Sequence, residues 1–226
     1  MINLRSTDTV LTKFLSKVHQ QVFFGTQKHP ISIHQMGNYR WYHVFELTPV
    51  SDDLLVLLHA PSIVVCIGLL LDHALKNPLQ ISYFIKKTPL IDLTINNDNF
   101  KQDDFLWQEN CLECFVEYNR ANDYFEINVA LDGRHNVYHF DNYRTPNVMP
   151  PRQAKLGDVL VDNLAHASDV VDGFYSRHIN LLGNKAALPT RLNPTAILYV
   201  DGQGIFYANT HANPPDFHDK RHWVLC

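Results

Sequence analysis

Beyond about residue 30, apolar and polar positions follow one another in short runs whose spacing is that of strands, not helices. The runs ISIHQM, RWYHVFELT, SIVVCIGLL, LQISYFIK, LIDLTI, CLECFVEY, YFEINVA, HNVYHFD, AILYV and GIFYA are rich in β-branched and aromatic side chains, and Pro, Asn, Asp and Gly separate most of them. About ten short strands without a helical pattern between them predict an antiparallel β-sandwich of the immunoglobulin or jelly-roll kind, because parallel βαβ units require a helix after each strand. No linker divides the chain, so residues 1–226 read as one sandwich domain.

Three stretches depart from this rhythm. Residues 8–24 place Val10, Leu11, Phe14, Leu15, Val18 and Val22 at helical spacing, with Thr7 or Asp8 as N-cap, which predicts a helical extension over residues 1–30 packed on the domain. Residues 152–185 are polar and irregular, and predict a helical or loop excursion. From Leu54 to Leu71 only His59 and Ser62 are clearly polar, a length that could span a bilayer. Pro61 interrupts that stretch, Asp72 and His73 follow it, and no Lys or Arg cluster flanks it. Two buried elements on either side of a proline break are the expectation, with no membrane partner.

The stretch 111–141 can be worked through to side-chain faces. Asp132-Gly133 as a two-residue turn pairs Leu131 with Arg134. Asn128 then faces Val137, Ile127 faces Tyr138, Glu126 faces His139, and Phe125 faces Phe140. The loop around Asn119–Asn122 folds residues 111–117 back, bringing Glu113 beside Asn128. Alternation assigns Cys114, Val116, Phe125, Ile127, Val129, Tyr138 and Phe140 to the core. Glu113, Phe115, Glu117, Glu126, Asn128 and His139 share the opposite face. Such a face can simply be wet. It also lacks Lys and Arg and combines carboxylates, an amide and an imidazole with an aromatic ring, which suits a site hydrogen-bonding a polyhydroxylated ligand. The residues leave both readings open.

With 226 residues, 46% hydrophobic and 19% charged, the chain has ample material for a core. Its 19 basic and 23 acidic side chains are mixed along the sequence, with a net charge of −4 and no basic stripe, which excludes a nucleic-acid partner. Four irregularly spaced cysteines and an N-terminus without signal-peptide character predict a cytoplasmic protein.

Catalytic and metal motifs are weak. Cys111 and Cys114 have the spacing of a redox or zinc pair, but on a strand residues three apart point to opposite faces. The segment from His211 to His222 holds three histidines and two aspartates, yet its prolines give no ready ligand geometry, and no metal or other cofactor is expected. No Gly-flanked nucleophilic serine and no phosphate-cradling loop is present. Glu113 and Glu126 could form a glycosidase pair, so a two-carboxylate or metal-dependent hydrolase stands as an alternative to binding.

Three segments carry a resemblance: Leu106-Trp-Gln-Glu-Asn-Cys-Leu-Glu-Cys-Phe115, Tyr124-Phe-Glu-Ile-Asn128, and Tyr138-His-Phe-Asp-Asn-Tyr-Arg144. With Pro215-Asp-Phe-His218 near the C-terminus, they resemble DOMON-like proteins related to family-nine carbohydrate-binding modules. The resemblance implies a sandwich that binds a carbohydrate-like small molecule without catalysis. Its expected ligand-binding residues are Trp107, Glu113, Glu126, Asn128, Tyr143, Arg144, His211, Asp216 and His218. Cys111 falls on the group's cysteine, and Cys114 is a departure. Residues 50–80 match the group poorly, and no tryptophan pair that would sandwich a sugar can be identified among Trp41, Trp107 and Trp223. Members of the wider group bind haem through Met and His, and Met36 and Met149 are available, but neither stands in a setting that selects it. An interaction module with an empty polar face is the remaining alternative.

Overall fold

A computed structural model describes residues 39–70, 79–88, 93, 101–118, 122–154, 160–161, 174–182, 188–200 and 202–226. The expected N-terminal helix and the run ISIHQM lie outside them. The described residues form β1 (Tyr39–Val50), a short helix α1 (Leu54–Leu58), β2 (Ile63–Leu70), β3 (Leu79–Lys86), β4 (Cys111–Tyr118), β5 (Tyr124–Ala130), β6 (His135–Phe140), β7 (Leu160–Val161), β8 (Phe174–Leu182), β9 (Pro189–Val200), β10 (Gln203–Ala208) and β11 (Val224–Leu225). Neighbouring strands are antiparallel in the order β6-β5-β4-β9-β10-β1-β2-β3-β8-β7, with β11 on β9.

The molecule is therefore mainly β and antiparallel, as the alternation predicts. Its strands make one curled, open sheet joined through β1. That strand pairs with β2 as far as Leu47 and with β10 from Thr48 to Val50, so one backbone serves both arms. Their facing sides share a single core. Phe45, Val65, Ile81 and Tyr83 come from one arm, and Leu112, Cys114, Ile127, Leu198 and Tyr207 from the other. Two polar struts cross it: the Tyr83 hydroxyl donates to the Glu113 carbonyl, and the Arg177 guanidinium to the Leu131 carbonyl.

Pro194 shows how the sequence fits this path. It lies in β9, where a missing N–H would break a ladder. The β10 pairing of β9 ends at Thr195 and the β11 pairing begins at Leu192, so the proline falls in the gap between them.

Three expectations need correction. The first concerns residues 54–71, of which only the second half is a buried element. Asp53 caps α1 by accepting from Leu55 N (2.8 Å) and Val56 N (3.4 Å). The resulting five-residue helix is too short to bury a stripe, and Leu54, Leu55 and Leu58 are exposed. No helix among the described residues is long and apolar enough to cross a membrane.

The second concerns residues 152–185, which include a nine-residue strand, β8, held between β3 and β7. Its buried Ser176, Arg177 and His178 disguise it as a loop. Polar groups among them find buried partners, as where the Ser82 hydroxyl and the His178 Nδ1 meet at 2.8 Å and where the Arg177 guanidinium reaches the Leu131 carbonyl.

The third is the β5–β6 register. Ile127 pairs with Val137, Glu126 with Tyr138 and Phe125 with His139, one residue away from the two-residue-turn pairing. The loop holds three residues, Leu131-Asp132-Gly133. Ala130 N donates to the Arg134 carbonyl at 2.8 Å, and Gly133 takes the left-handed conformation at φ 102° that closes a three-residue hairpin. A one-residue shift exchanges the faces of a strand. Val137 consequently joins the core, His139 stacks on Phe125 behind the sheet, and Tyr138 and Phe140 move to the polar face.

β6 lies at the end of the strand order, yet its outer edge is covered. His139 N donates to the Arg152 carbonyl and Ala154 N to the Val137 carbonyl, both at 2.9 Å. At the other end of the same edge His135 N donates to Lys101 O at 3.0 Å and Asp103 N to His135 O at 3.1 Å.

Candidate functional site

The polar face of β4 and β5 carries the site. Strand alternation places Glu113 and Phe115 beside Asn128 and Glu126, since Glu113 pairs with Asn128 and Phe115 with Glu126. β9 adds Asn193, Thr195 and Ile197 through its pairing with β4, and β6 adds Tyr138 and Phe140. Two segments close over this face. Residues 146–151 lead away from the end of β6, and residues 211–223 return across it before β11 anchors them on β9. Together they enclose a cavity of about 210 Å³. That is below the roughly 300–1,000 Å³ of sites for drug-sized ligands, and suits one ring-sized molecule.

Trp107, Glu113, Glu126, Arg144, Asp216 and His218, all expected site residues, line this cavity. Asn128 lies beneath it, fully buried, and its Nδ2 donates to Glu126 Oε1 at 2.8 Å. Tyr143 is not in the lining. It stands half in solvent outside the cavity, and its hydroxyl donates to Asp216 Oδ2 at 2.6 Å. His211 also stays outside, with Nε2 donating to the Thr48 carbonyl at 2.7 Å and its ring 6.3 Å from Phe217. The polar face is thus brought together with Arg144 and the 215–218 segment, and it is covered, not a wet surface.

Several hydrogen bonds fix the lid. Asn193 Nδ2 and Trp223 Nε1 both donate to the Phe217 carbonyl, at 3.0 and 2.9 Å. Lys220 Nζ reaches Glu117 Oε2 and the Asn122 carbonyl, each at 2.7 Å. Arg144, at φ 47°, is in the left-handed region that non-glycine residues seldom occupy. Its backbone N–H donates to the Tyr124 hydroxyl at 3.1 Å, and its guanidinium donates to Asp216 Oδ1 at 2.9 Å.

Tyr124 also meets His218 Nδ1 at 2.7 Å. Either group can be the donor in this contact; with the hydroxyl donating, the imidazole carries its proton on Nε2, which lies 3.6 Å from Glu126 Oε2. Burial, with Arg144 nearby, lowers the His218 pKa to about 3, so the ring is neutral. Burial raises Glu126 to about 7, against the hydrogen bond from Asn128. Glu113 is pushed well above the usual carboxylate range by burial first and by Glu126 second. For Asp216 burial acts upward, but the bonds from Tyr143 and Arg144 prevail and hold it low.

Cys111 and Cys114 are buried on opposite faces, Cys114 in the main core and Cys111 against Leu106 and Ala130. Among the described residues no group of three or more His, Cys, Asp and Glu side chains could hold a metal ion. Met149 lines the cavity and Met36 is outside the described residues.

Some residues of the site escaped the sequence reading. Tyr124, which holds His218 from behind the lining, shares the parity of Glu126 and Asn128, so alternation could have found it. Phe140 required the correct turn. Phe206, Ile197 and residues 146–151 arrive through β9–β10 pairing and a chain reversal that no local pattern announces.

Neither a family model nor a curated protein matches the sequence. One solved structure, from Bacteroides uniformis and described as a "putative carbohydrate-binding protein", is similar over 80% of this chain and 84% of its own, at 14% identity and a TM-score of 0.47.

Proposed function

We propose that this chain binds a carbohydrate or similar small polar molecule in the cavity between the polar face of β4–β5 and the 211–218 segment, without transforming it. The observation that carries the reading is the lining itself: the buried carboxyls of Glu113 and Glu126, with Asn128 beneath them, sit within an aromatic wall of Trp107, Phe140, Phe206 and Phe217. Apolar rings cover the faces of a sugar while oriented polar groups take its hydroxyls. The sequence resemblance to DOMON-like proteins, whose sandwich the curled sheet would represent, agrees with this proposal. A two-carboxylate hydrolase is the weaker reading, because both carboxyls already serve buried hydrogen bonds, Glu113 from Thr195 at 3.3 Å and Glu126 from Asn128 at 2.8 Å.

Titration calorimetry against a panel of mono- and disaccharides tests the proposal. Removing one partner leaves the other desolvated and costs about 1–3 kcal/mol. Glu126→Gln or Asn128→Ala should therefore weaken binding about tenfold or more, with the fold retained. If no saccharide binds the unaltered chain at millimolar concentration, the proposal fails.

A further inference from the structure

Two buried carboxyls, Glu113 and Glu126, line the cavity, and the oxygens of two buried amides lie beneath them. Glu113 accepts from the Thr195 hydroxyl at 3.3 Å, and Glu126 from Asn128 at 2.8 Å, with His218 Nε2 3.6 Å away. The neighbouring cations are engaged elsewhere: Arg144 holds Asp216, and Lys220 holds Glu117. Two more acceptors on the same face, the Oδ1 atoms of Asn128 and Asn193, have no hydrogen-bond partner among the described residues. Both side chains are sealed from water, at 0% and 2% exposure. Neither amide is free to turn its nitrogen inward, because each Nδ2 already donates, Asn128 to Glu126 and Asn193 to the Phe217 carbonyl. Buried acceptors of this kind call for a donor. The rings of Trp107, Phe140, Phe206 and Phe217 line the same space, and aromatic walls attract cations electrostatically.

We infer that the ligand of this site carries a protonated amine and that, among carbohydrates, the site selects a free-amine hexosamine over its neutral and N-acylated counterparts. The sugar half of this inference rests on the proposed function; the amine half does not. An ammonium centre supplies N–H donors to the two lining carboxyls, Glu113 and Glu126, and its charge answers a face that carries more carboxyls than free cations. A neutral sugar supplies donors but leaves the carboxyls uncompensated once they ionise.

An ammonium group pairs with carboxylate, so binding displaces protons from the Glu113–Glu126 pair. The titratable and charged groups facing that pair are Cys111 on β4, Tyr124 on β5, Tyr138 on β6, Arg144 after β6, and Asp216 and His218 on the covering segment. Burial raises Glu126 to about 7 and Glu113 well above the usual carboxylate range.

Calorimetry on the full chain with glucosamine, glucose, N-acetylglucosamine and choline decides the matter. Glucosamine is expected to bind about tenfold or more tightly than glucose or N-acetylglucosamine at neutral pH. Choline keeps its charge at every pH, so any change in its affinity belongs to the protein, and that affinity should rise between about pH 5 and about pH 8. Glu126→Gln should abolish the preference for glucosamine. If that variant does not fold, the ligand ratio and the choline pH profile of the unaltered chain decide by themselves. Glucose or N-acetylglucosamine binding as tightly as glucosamine overturns the inference and leaves the carbohydrate reading standing. Choline binding without any sugar binding overturns the carbohydrate reading and leaves the amine. Binding of neither class overturns both.

Discussion

The Tyr124 hydroxyl is the hinge of the site's polar arrangement. It accepts from Arg144 N in one segment and meets His218 Nδ1 in another, so its proton position and the tautomer of His218 are set together. Tyr124→Phe should release this choice, and nitrogen NMR of His218 should change from a single tautomer to a mixture. The same residues give opposite pH effects on stability. Glu126 has a folded pKa of about 7, above its ordinary 4.5, so its contribution is full in acid and is lost as pH rises through about 7. His218 has a folded value of about 3, below its ordinary 6.5. The unfolded ring takes up a proton that the folded ring refuses, and stability falls as pH drops from 6.5 toward 3. Thermal melts of Glu126→Gln should accordingly show a shallower decline between pH 4.5 and pH 7 than the unaltered chain, with the part due to Glu113 remaining. An unchanged profile would show that Glu126 is ionised throughout.

Among elements, the β5–β6 hairpin shows what a sequence discloses and what it withholds. Alternation and turn chemistry locate β4, β5 and β6 and place Glu113 beside Asn128, because those facts are local. The register of β6 hangs on whether the loop holds two residues or three, and Asp132-Gly133 permits both. The choice of three moves Tyr138 and Phe140 into the site. Gly133 at φ 102° supports that choice, and a Cβ there is strained. Gly133→Ala should lose about 1–2 kcal/mol by denaturant titration and, through β6, loosen the aromatic side of the cavity. β8 failed to declare itself for another reason: its polar residues are buried and find partners on β3, 96 residues away in sequence for Ser82 and His178. Polarity reads as exposure when the partner is distant. The covering segments were legible only as motif, since their contacts with β9 and β6 are made by tertiary return of the chain.

For the whole molecule, the shared core matters more than the number of strands. The arms on either side of β1 bury their side chains against each other, and Tyr83 of β3 donates to the backbone of Glu113 on β4. Losing that bond leaves a buried carbonyl underserved, so Tyr83→Phe should cost about 1–2 kcal/mol. Unfolding should remain a single transition, because the larger core is shared between the arms and the cluster of Phe115, Tyr124, Tyr138, Phe140 and Trp223 on one arm is small beside it. Fluorescence offers a direct check, with Trp41 on one arm and Trp107 and Trp223 on the other. Separate transitions for variants retaining only Trp41 or only the other two would show that the arms unfold independently.

The covering of β6 has a consequence for how such a protein can change. Arg152 and Ala154 occupy the backbone groups of an outer strand, and an outer strand left bare is a template on which a second chain can extend the sheet. The residues immediately before them, 146–151, shape the cavity. A lineage or an engineer widening the pocket by lengthening that segment therefore works on the same strap that keeps β6 from recruiting a neighbour. Variants with altered ligand range and variants prone to self-association should arise from the same few positions.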